Sequence, residues 1–205
     1  MIIYSTMPWI HVAIALASII VAMWITKDLG EEYAWVNRKI IHFSITPAII
    51  MLYLGFIPKS IFSGFAMAFA LGQLLFHAFK KEFKWFQIKG NYGEVYFAIS
   101  ASIISLALPV EKATPILLVM AISDGLTGIV RFYYFKRIGF NVKLKKHWSG
   151  SLAFFSSAII IGGPFFGLKA IPWALLLTLA EYQKFIDDNI MVPLVGAIIL
   201  LKTPI

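Results

Sequence analysis

The chain has no cysteine, which excludes disulfides and thiolate metal sites without fixing a compartment. Charge is scarce too: Asp, Glu, Lys and Arg make up 14% of the 205 residues, little more than half the share in a typical soluble domain. Acids are the rarer sign, 10 against 18 Lys and Arg. There is no Gly-x-x-x-x-Gly-Lys-Ser/Thr, no kinase-type glycine-rich loop after a strand, and no His-Glu-x-x-His, so any phosphate chemistry does not use a soluble nucleotide-binding fold. No repeat, low-complexity tract or linker interrupts residues 1–205. A single domain is expected.

What is present is apolar. With 60% hydrophobic residues and a mean hydropathy of +0.84, the composition is that of an integral membrane protein. Apolar spans run over Pro8–Thr26, Lys39–Leu54, Lys59–Phe79, Gly93–Leu108, Thr114–Phe135, Gly150–Gly167, Ala170–Leu179 and Ile190–Leu201. The first, third and fifth approach the ~20 residues that cross a bilayer as helix. The last two are short, and fit either two tilted or half-inserted segments or one helix broken around Asp187-Asp188-Asn189. The expected fold is an all-α polytopic bundle of about seven to eight helical segments. Met1–Met7 carries no positive charge and no clean cleavage site follows, so the first span reads as a retained helix.

Charge asymmetry orients the bundle. Lys27, Arg38 and Lys39 follow the first span; Lys80, Lys81, Lys84 and Lys89 the third; Arg131, Lys136, Arg137, Lys143, Lys145 and Lys146 close the fifth; and Lys184 follows the seventh. The opposite side keeps only Lys59, Lys112, Lys169 and Lys202. By the positive-inside rule the richer face is cytoplasmic and the amino terminus lies outside, in a plasma membrane or endoplasmic-reticulum-like membrane. Anionic headgroups and this rule account for much of the net charge of +8, and no nucleic-acid partner is needed.

Polar residues collect on that face. Arg38 and His42, four apart, share one side of the second span, an arrangement that suits phosphate as well as headgroup anchoring. Glu94, in Asn91-Tyr-Gly-Glu94, opens the fourth span either as a dipole-favoured acid or as a metal ligand. Asp124 is an intramembrane carboxylate, costly to keep there and so a functional candidate. Thr127, Gly128 and Arg131 extend along its stripe. At 1.5 Å per residue Arg131 lies about 10 Å outward of Asp124, too far for direct pairing. A Mg²⁺ ion at Asp124 with Arg131 on outer phosphates fits both positions.

Lys145-Lys146-His147-Trp148-Ser149-Gly150-Ser151 leads into the sixth span, where hydroxyls, helix-start N–H groups and lysines form an anion cradle. Asp187-Asp188-Asn189 opens the last span. One such residue caps a helix; three in a row offer hard oxygen ligands, and Mg²⁺ takes one or two carboxylates plus substrate phosphates. Glu181 precedes them by about two turns on a helix of ~3.6 residues per turn. His11 and His77, isolated in apolar surroundings, read as packing or interface residues.

The order Arg-Lys-x-x-His, Asp-Gly-x₅-Arg, Lys-Lys-x-Trp-x-Gly-Ser and Asp-Asp-Asn-x-x-Val-Pro, from about Arg38 to Leu194, resembles the CTP-dependent polyprenol kinases. That family includes dolichol, phytol and farnesol kinases, with a more distant likeness to CDP-diacylglycerol synthases. The resemblance implies Asp124 as the intramembrane acid, Lys146, Gly150 and Ser151 in the phosphate loop, and Asp187, Asp188 and Asn189 as the terminal acidic motif. The family loop commonly reads Lys-Ser/Thr-x-Glu-Gly-Ser/Thr; here His147 and Ser149 stand at the hydroxyl and glutamate positions.

The implied activity is transfer of the γ-phosphate of CTP to a membrane-dissolved isoprenoid alcohol. Asp124, Lys146, Asp187 and Asp188 are the expected catalytic residues. Arg38, His42, Thr127, Arg131, Lys145, Lys146, Ser149, Gly150, Ser151 and Asn189 bind the nucleotide, and Asp124, Asp187, Asp188 and Glu94 hold Mg²⁺. CTP, the alcohol and the bilayer are the expected partners, with a homo-oligomer compatible. Two alternatives stand beside it: a cytidylyltransferase acting on a lipid phosphate, and a small ion-coupled transporter, although transporters place their acids near the midplane between repeats.

Overall fold

The computed structural model describes residues 8–137 and 146–202, so Lys145, assigned above to the phosphate loop, lies outside the described residues. Within them the protein is all-helical, with no strand. Helix α1 (Pro8–Leu29) is followed by a 3₁₀ turn, α2 (Ala34–Phe43), α3 (Thr46–Tyr53), α4 (Lys59–Ala78) and α5 (Gly93–Ala107). Helix α6 (Val110–Leu118) continues through a π-helical turn, Val119–Ser123, into α7 (Asp124–Arg137). Helices α8 (Trp148–Phe166), α9 (Ala170–Tyr182) and α10 (Asp188–Lys202) complete the chain.

Four apolar stretches among the described residues are long enough to cross a membrane: Pro8–Leu29, Lys59–Ala78, Val110–Lys136 and Trp148–Tyr182. The protein is a membrane protein on this composition. The last stretch folds back on itself. Gly167 takes a φ of +55°, and beyond it Trp173 returns so close to Gly162 that a methyl group there would meet its ring at 2.9 Å. The outward faces of the helices are apolar, with Trp9, Ile20 and Trp24 of α1 and Ile160 of α8 more than half exposed, as lipid contact requires.

One of the short spans differs from the sequence-based reading. The span expected over Lys39–Leu54 is broken at Ser44-Ile45 into α2 and α3. Pro47, near the start of α3, has no N–H to offer the carbonyl of Phe43 four residues earlier, and at the break the Ser44 carbonyl accepts the Ser18 hydroxyl at 2.7 Å. The last two spans are separate helices, α9 and α10, which pack on each other across the turn that holds Asp187.

The bundle has two unlike ends. At one, Lys59 donates to the carbonyl of Leu108, and Lys112 to that of Leu200 at 2.6 Å. At the other, Asn37 of α2 bridges the carbonyls of Gly30 and Trp85 at 2.9 and 2.7 Å, which ties the α1–α2 turn to the 79–92 connection. The polar sequence motifs all gather at this second end. Between the ends lies a core of Ile49, Leu52, Ile116, Leu117, Val119, Phe154 and Leu177, each almost fully buried.

Candidate functional site

Asp124 begins α7 directly after the π turn. Pro115 interrupts the hydrogen-bond ladder of the preceding helix, and π turns recur at functional sites because the extra residue re-aims the side chains that follow. Asp124 is directed at α2: its Oδ2 accepts from Lys39 Nζ at 2.5 Å, and both side chains are buried. His42 Nδ1 lies 3.4 Å from the same oxygen. The His42 ring stacks on Phe97 at 4.4 Å, and neither ring nitrogen has a hydrogen-bond partner among the described residues. Asp124 Oδ1 is likewise buried and unpartnered.

The α2–α7 approach depends on glycine. A Cβ on Gly128 would stand 2.5 Å from Lys39 Cε, and one on Gly125 would stand 2.8 Å from the Phe43 ring. The Lys39 stem therefore passes over bare backbone to reach Asp124, a device suited to helices that must pack closely in lipid.

A second wall is built by α7, α8, α9 and α10. Arg131 Nη2 donates to Glu181 Oε1 at 2.9 Å. Lys146 Nζ reaches the same oxygen at 2.9 Å and Asp188 Oδ2 at 2.7 Å, and also meets the Glu181 carbonyl. Burial works against the Lys146 charge, but the Asp188 and Glu181 carboxylates outweigh it and raise its pKa above the ordinary lysine value. Ser151 Oγ lies 3.3 Å from Glu181 Oε2. Thr127 Oγ1 donates to the carbonyls of Ser123 and Gly150 at 2.9 and 3.1 Å, locking α7 to the start of α8. A Cβ on Gly150 would collide with the Arg131 side chain at 2.8 Å. Ser149 is turned to its own neighbour, its hydroxyl 2.8 Å from His147 Nδ1.

The third wall joins α2, α5 and the α9–α10 turn. Arg38 Nη1 donates to Asn91 Oδ1 at 2.7 Å and lies 3.8 Å from Glu94 Oε2, with its guanidinium over the Trp35 ring at 5.1 Å. Space above Gly93 is bounded by Asn91, Asn189 and Arg38, so the motifs of α2, α5 and α10 converge there. Asp187 Oδ1 accepts from the backbone and side-chain N–H groups of Asn189, both at 2.9 Å. Burial, and then the neighbouring Asp188 carboxylate, push the Asp187 pKa above the usual carboxylate range.

The structure thus brings Arg38, His42, Glu94, Asp124, Thr127, Arg131, Lys146, Ser151, Asp187, Asp188 and Asn189 to one end of the bundle. It pairs them differently from the expected scheme. Asp124 and Arg131 do not pair, as the spacing indicated; they serve different walls, one held by Lys39 and the other by Glu181. Glu94 meets His77 and Arg38, and no cluster of three or more His, Cys, Asp or Glu occurs among the described residues. Lys39, Asn91 and Glu181 play larger parts than their sequence context indicated. His11 packs as expected, stacked on Phe56 at 4.5 Å. His77 does not merely pack: its Nε2 is 2.7 Å from Glu94 Oε1.

The residues at hand fit a divalent cation. Asp187 and Asp188 are adjacent carboxylates at the head of α10, both facing the polar end where Asn189 and Lys146 contact them. Mg²⁺ binds through one or two carboxylates with substrate phosphates completing its shell, so a larger protein cage is not required.

Beside this polar end lies an apolar cavity of about 340 Å³ between α1, α2, α3, α4 and α5. Its walls are Val12, Leu16, Phe62, Phe65, Phe97 and similar residues, and among the described residues its charged or imidazole side chains are Arg38, His42 and Glu94. Helix α1 packs on α2 and α3 while α4 packs mainly on α5, so α1 and α4 face each other across the cavity. Leu16 and Phe65 line it and also expose 37% and 43% of their surface. The gap between α1 and α4 is therefore walled by residues that also face outward.

Comparison with known proteins adds one relative. The chain is 37% identical over 117 residues to an uncharacterized protein of Methanocaldococcus jannaschii, covering 53% of this chain and 57% of that protein. No family model matches the chain, and no solved structure does.

Proposed function

We propose that this protein is a membrane lipid kinase that moves the γ-phosphate of CTP to the hydroxyl of an isoprenoid alcohol, giving a prenyl monophosphate and CDP. One observation carries the reading: an apolar cavity ends at Arg38, His42 and Glu94, and these residues belong to the same end of the bundle as the cations and carboxylates suited to a nucleotide. Choice of CTP as donor rests on the sequence resemblance described above.

Phosphoryl transfer is mostly positioning and charge neutralisation, and the chain supplies both. Arg131 and Lys146, both paired with Glu181, neutralise phosphate oxygens. Arg38, fixed by Asn91, stands at the polar end of the cavity, where the acceptor hydroxyl meets the γ-phosphate, and Lys39 beside it on α2 is fixed by Asp124. Asp187 and Asp188 hold Mg²⁺, which when bound offsets the negative charge shared between phosphate oxygens. The apolar walls take the isoprenoid chain, whose burial contributes about 25 cal/mol per Å² of apolar surface removed from contact with water. An acceptor dissolved in the bilayer enters between α1 and α4, while CTP arrives at the basic, cytoplasmic end.

The test is product analysis. Purified protein in detergent or lipid discs, given CTP, Mg²⁺ and geranylgeraniol or dolichol, is expected to form a lipid monophosphate and CDP. Pyrophosphate release would mark nucleotidyl transfer to a lipid phosphate instead, and a folded protein that turns over no lipid alcohol would overturn the kinase reading.

A further inference from the structure

Resting on the kinase reading, we infer that Glu94 is the general base that takes the proton of the acceptor hydroxyl, with His77 as its positioning residue. Glu94 is 3% exposed and lines the apolar cavity at its polar end. Its two oxygens are unequal. Oε1 is bound by His77 Nε2 at 2.7 Å, whereas Oε2 is buried with no hydrogen-bond partner among the described residues. A lone buried carboxylate oxygen is costly, and the hydroxyl of a lipid alcohol seated in this cavity is a donor that would satisfy it.

The groups around the carboxylate hold it in place. Arg38 of α2 stands 3.8 Å from Oε2 and spends its hydrogen bond on Asn91 instead, so Oε2 stays open to a donor in the cavity. His77 of α4 is itself set between two acids, with Nδ1 3.6 Å from Glu82 Oε1 on the connection that follows α4, and its ring packs on Tyr92 at 4.7 Å. That bracing fixes which oxygen of Glu94 points into the cavity. His42 is the competing base in the same cavity, but its geometry directs it elsewhere. Its ring is also pinned between Phe97 and Asp124.

The step balances simply. The acceptor O–H bond breaks with its proton going to Glu94 Oε2, the acceptor oxygen forms a bond to the γ-phosphorus, and the bond from that phosphorus to the bridging oxygen breaks to release CDP. The proton leaves Glu94 when the product does.

The experiment is the pH–rate profile of wild type, Glu94→Gln and His77→Gln with saturating CTP, Mg²⁺ and geranylgeraniol. Glu94→Gln is expected to lower kcat by about 10²–10³-fold, within the range for loss of a general base, to leave KM for both substrates unchanged, and to abolish the acid limb of the profile. His77→Gln, which keeps a donor toward Oε1, is expected to lower kcat less and to shift the acid limb. Transfer by wild type with a Glu94→Gln loss below about threefold, or with its acid limb retained, overturns the base assignment alone; a general base contributes far more. Absence of transfer by wild type overturns the kinase reading and this inference with it. If Glu94→Gln does not fold, an acid limb unmoved by His77→Gln overturns the inference.

Discussion

Lys39 and Asp124, 85 residues apart in sequence, form a buried ion pair of 2.5 Å across the α2–α7 interface, and the lysine reaches it over the bare backbone of Gly128. Neither partner has a cheap alternative, since breaking a buried pair strands a charge in a low-dielectric interior. The pair is thus a fixed point from which His42 and the cavity mouth are positioned.

Gly128→Ala is the direct probe of that fixed point. Its Cβ would fall 2.5 Å from Lys39 Cε, and over-packing of this kind typically destabilises by about 1–3 kcal/mol. We expect a lower melting temperature and a loss of transfer activity. Gly72→Ala in α4, where nothing lies within 4 Å, is the control and is expected to be neutral or to raise the melting temperature, because alanine is the better helix former. Melting curves of the two variants in the same detergent decide it.

Glu181→Gln leaves Arg131 and Lys146 without their shared carboxylate. Removing one member of a buried ion pair destabilises by about 3–5 kcal/mol, so poor expression or a much lower melting temperature is expected. Glu32→Gln removes the exposed partner of Lys136 and is expected to leave the melting temperature unchanged, as for most surface ion pairs.

Asp187 gives a pH signature. Burial and Asp188 raise its folded-state pKa, so ionising it opposes folding. The penalty is absent below the unfolded carboxylate value of about 4 and grows as pH rises through the folded-state value. Asp187→Asn is therefore expected to melt higher than wild type at pH 7, with the gain vanishing near pH 4, and to lose Mg²⁺-dependent activity. A variant less stable than wild type at pH 7 would contradict this. Lys146 has the opposite sense: its raised pKa makes its contribution fully present at neutral pH, with loss only as pH climbs past the ordinary lysine range.

Filling the cavity separates the two substrates. Ala98, 3% exposed, lines its wall, and Ala98→Leu takes up space needed by the acceptor chain. The KM for geranylgeraniol is expected to rise at least tenfold, about 1.4 kcal/mol, while the KM for CTP stays unchanged. Equal changes in both would mean that the cavity is not the acceptor's seat.

Much of this arrangement is legible in the sequence. The class, the limits of α1 and α4 and the gathering of the polar motifs at one end follow from apolar run lengths and from the placement of Lys and Arg. The break between α2 and α3 is signalled only by Pro47, which does not interrupt the apolar run. Pairing is harder to read. A spacing of seven puts Asp124 and Arg131 on one stripe of α7, but it does not say that the stripe passes between α2 on one side and α9 on the other. His77 sits in an apolar run with no local sign of Glu94, because their contact depends on how α4 packs against α5. Glu181 reads as a lone acid until α8 and α9 fold back and bring Lys146 to it.

Two parallel incubations with geranylgeraniol and Mg²⁺, one with CTP labelled at the γ-phosphate and one at the α-phosphate, test the central claim most directly. Label from the γ position is expected in the lipid phase, none from the α position, and neither with Asp124→Asn that remains monodisperse. Label reaching the lipid from the α position, or from neither with folded wild-type protein, would contradict it.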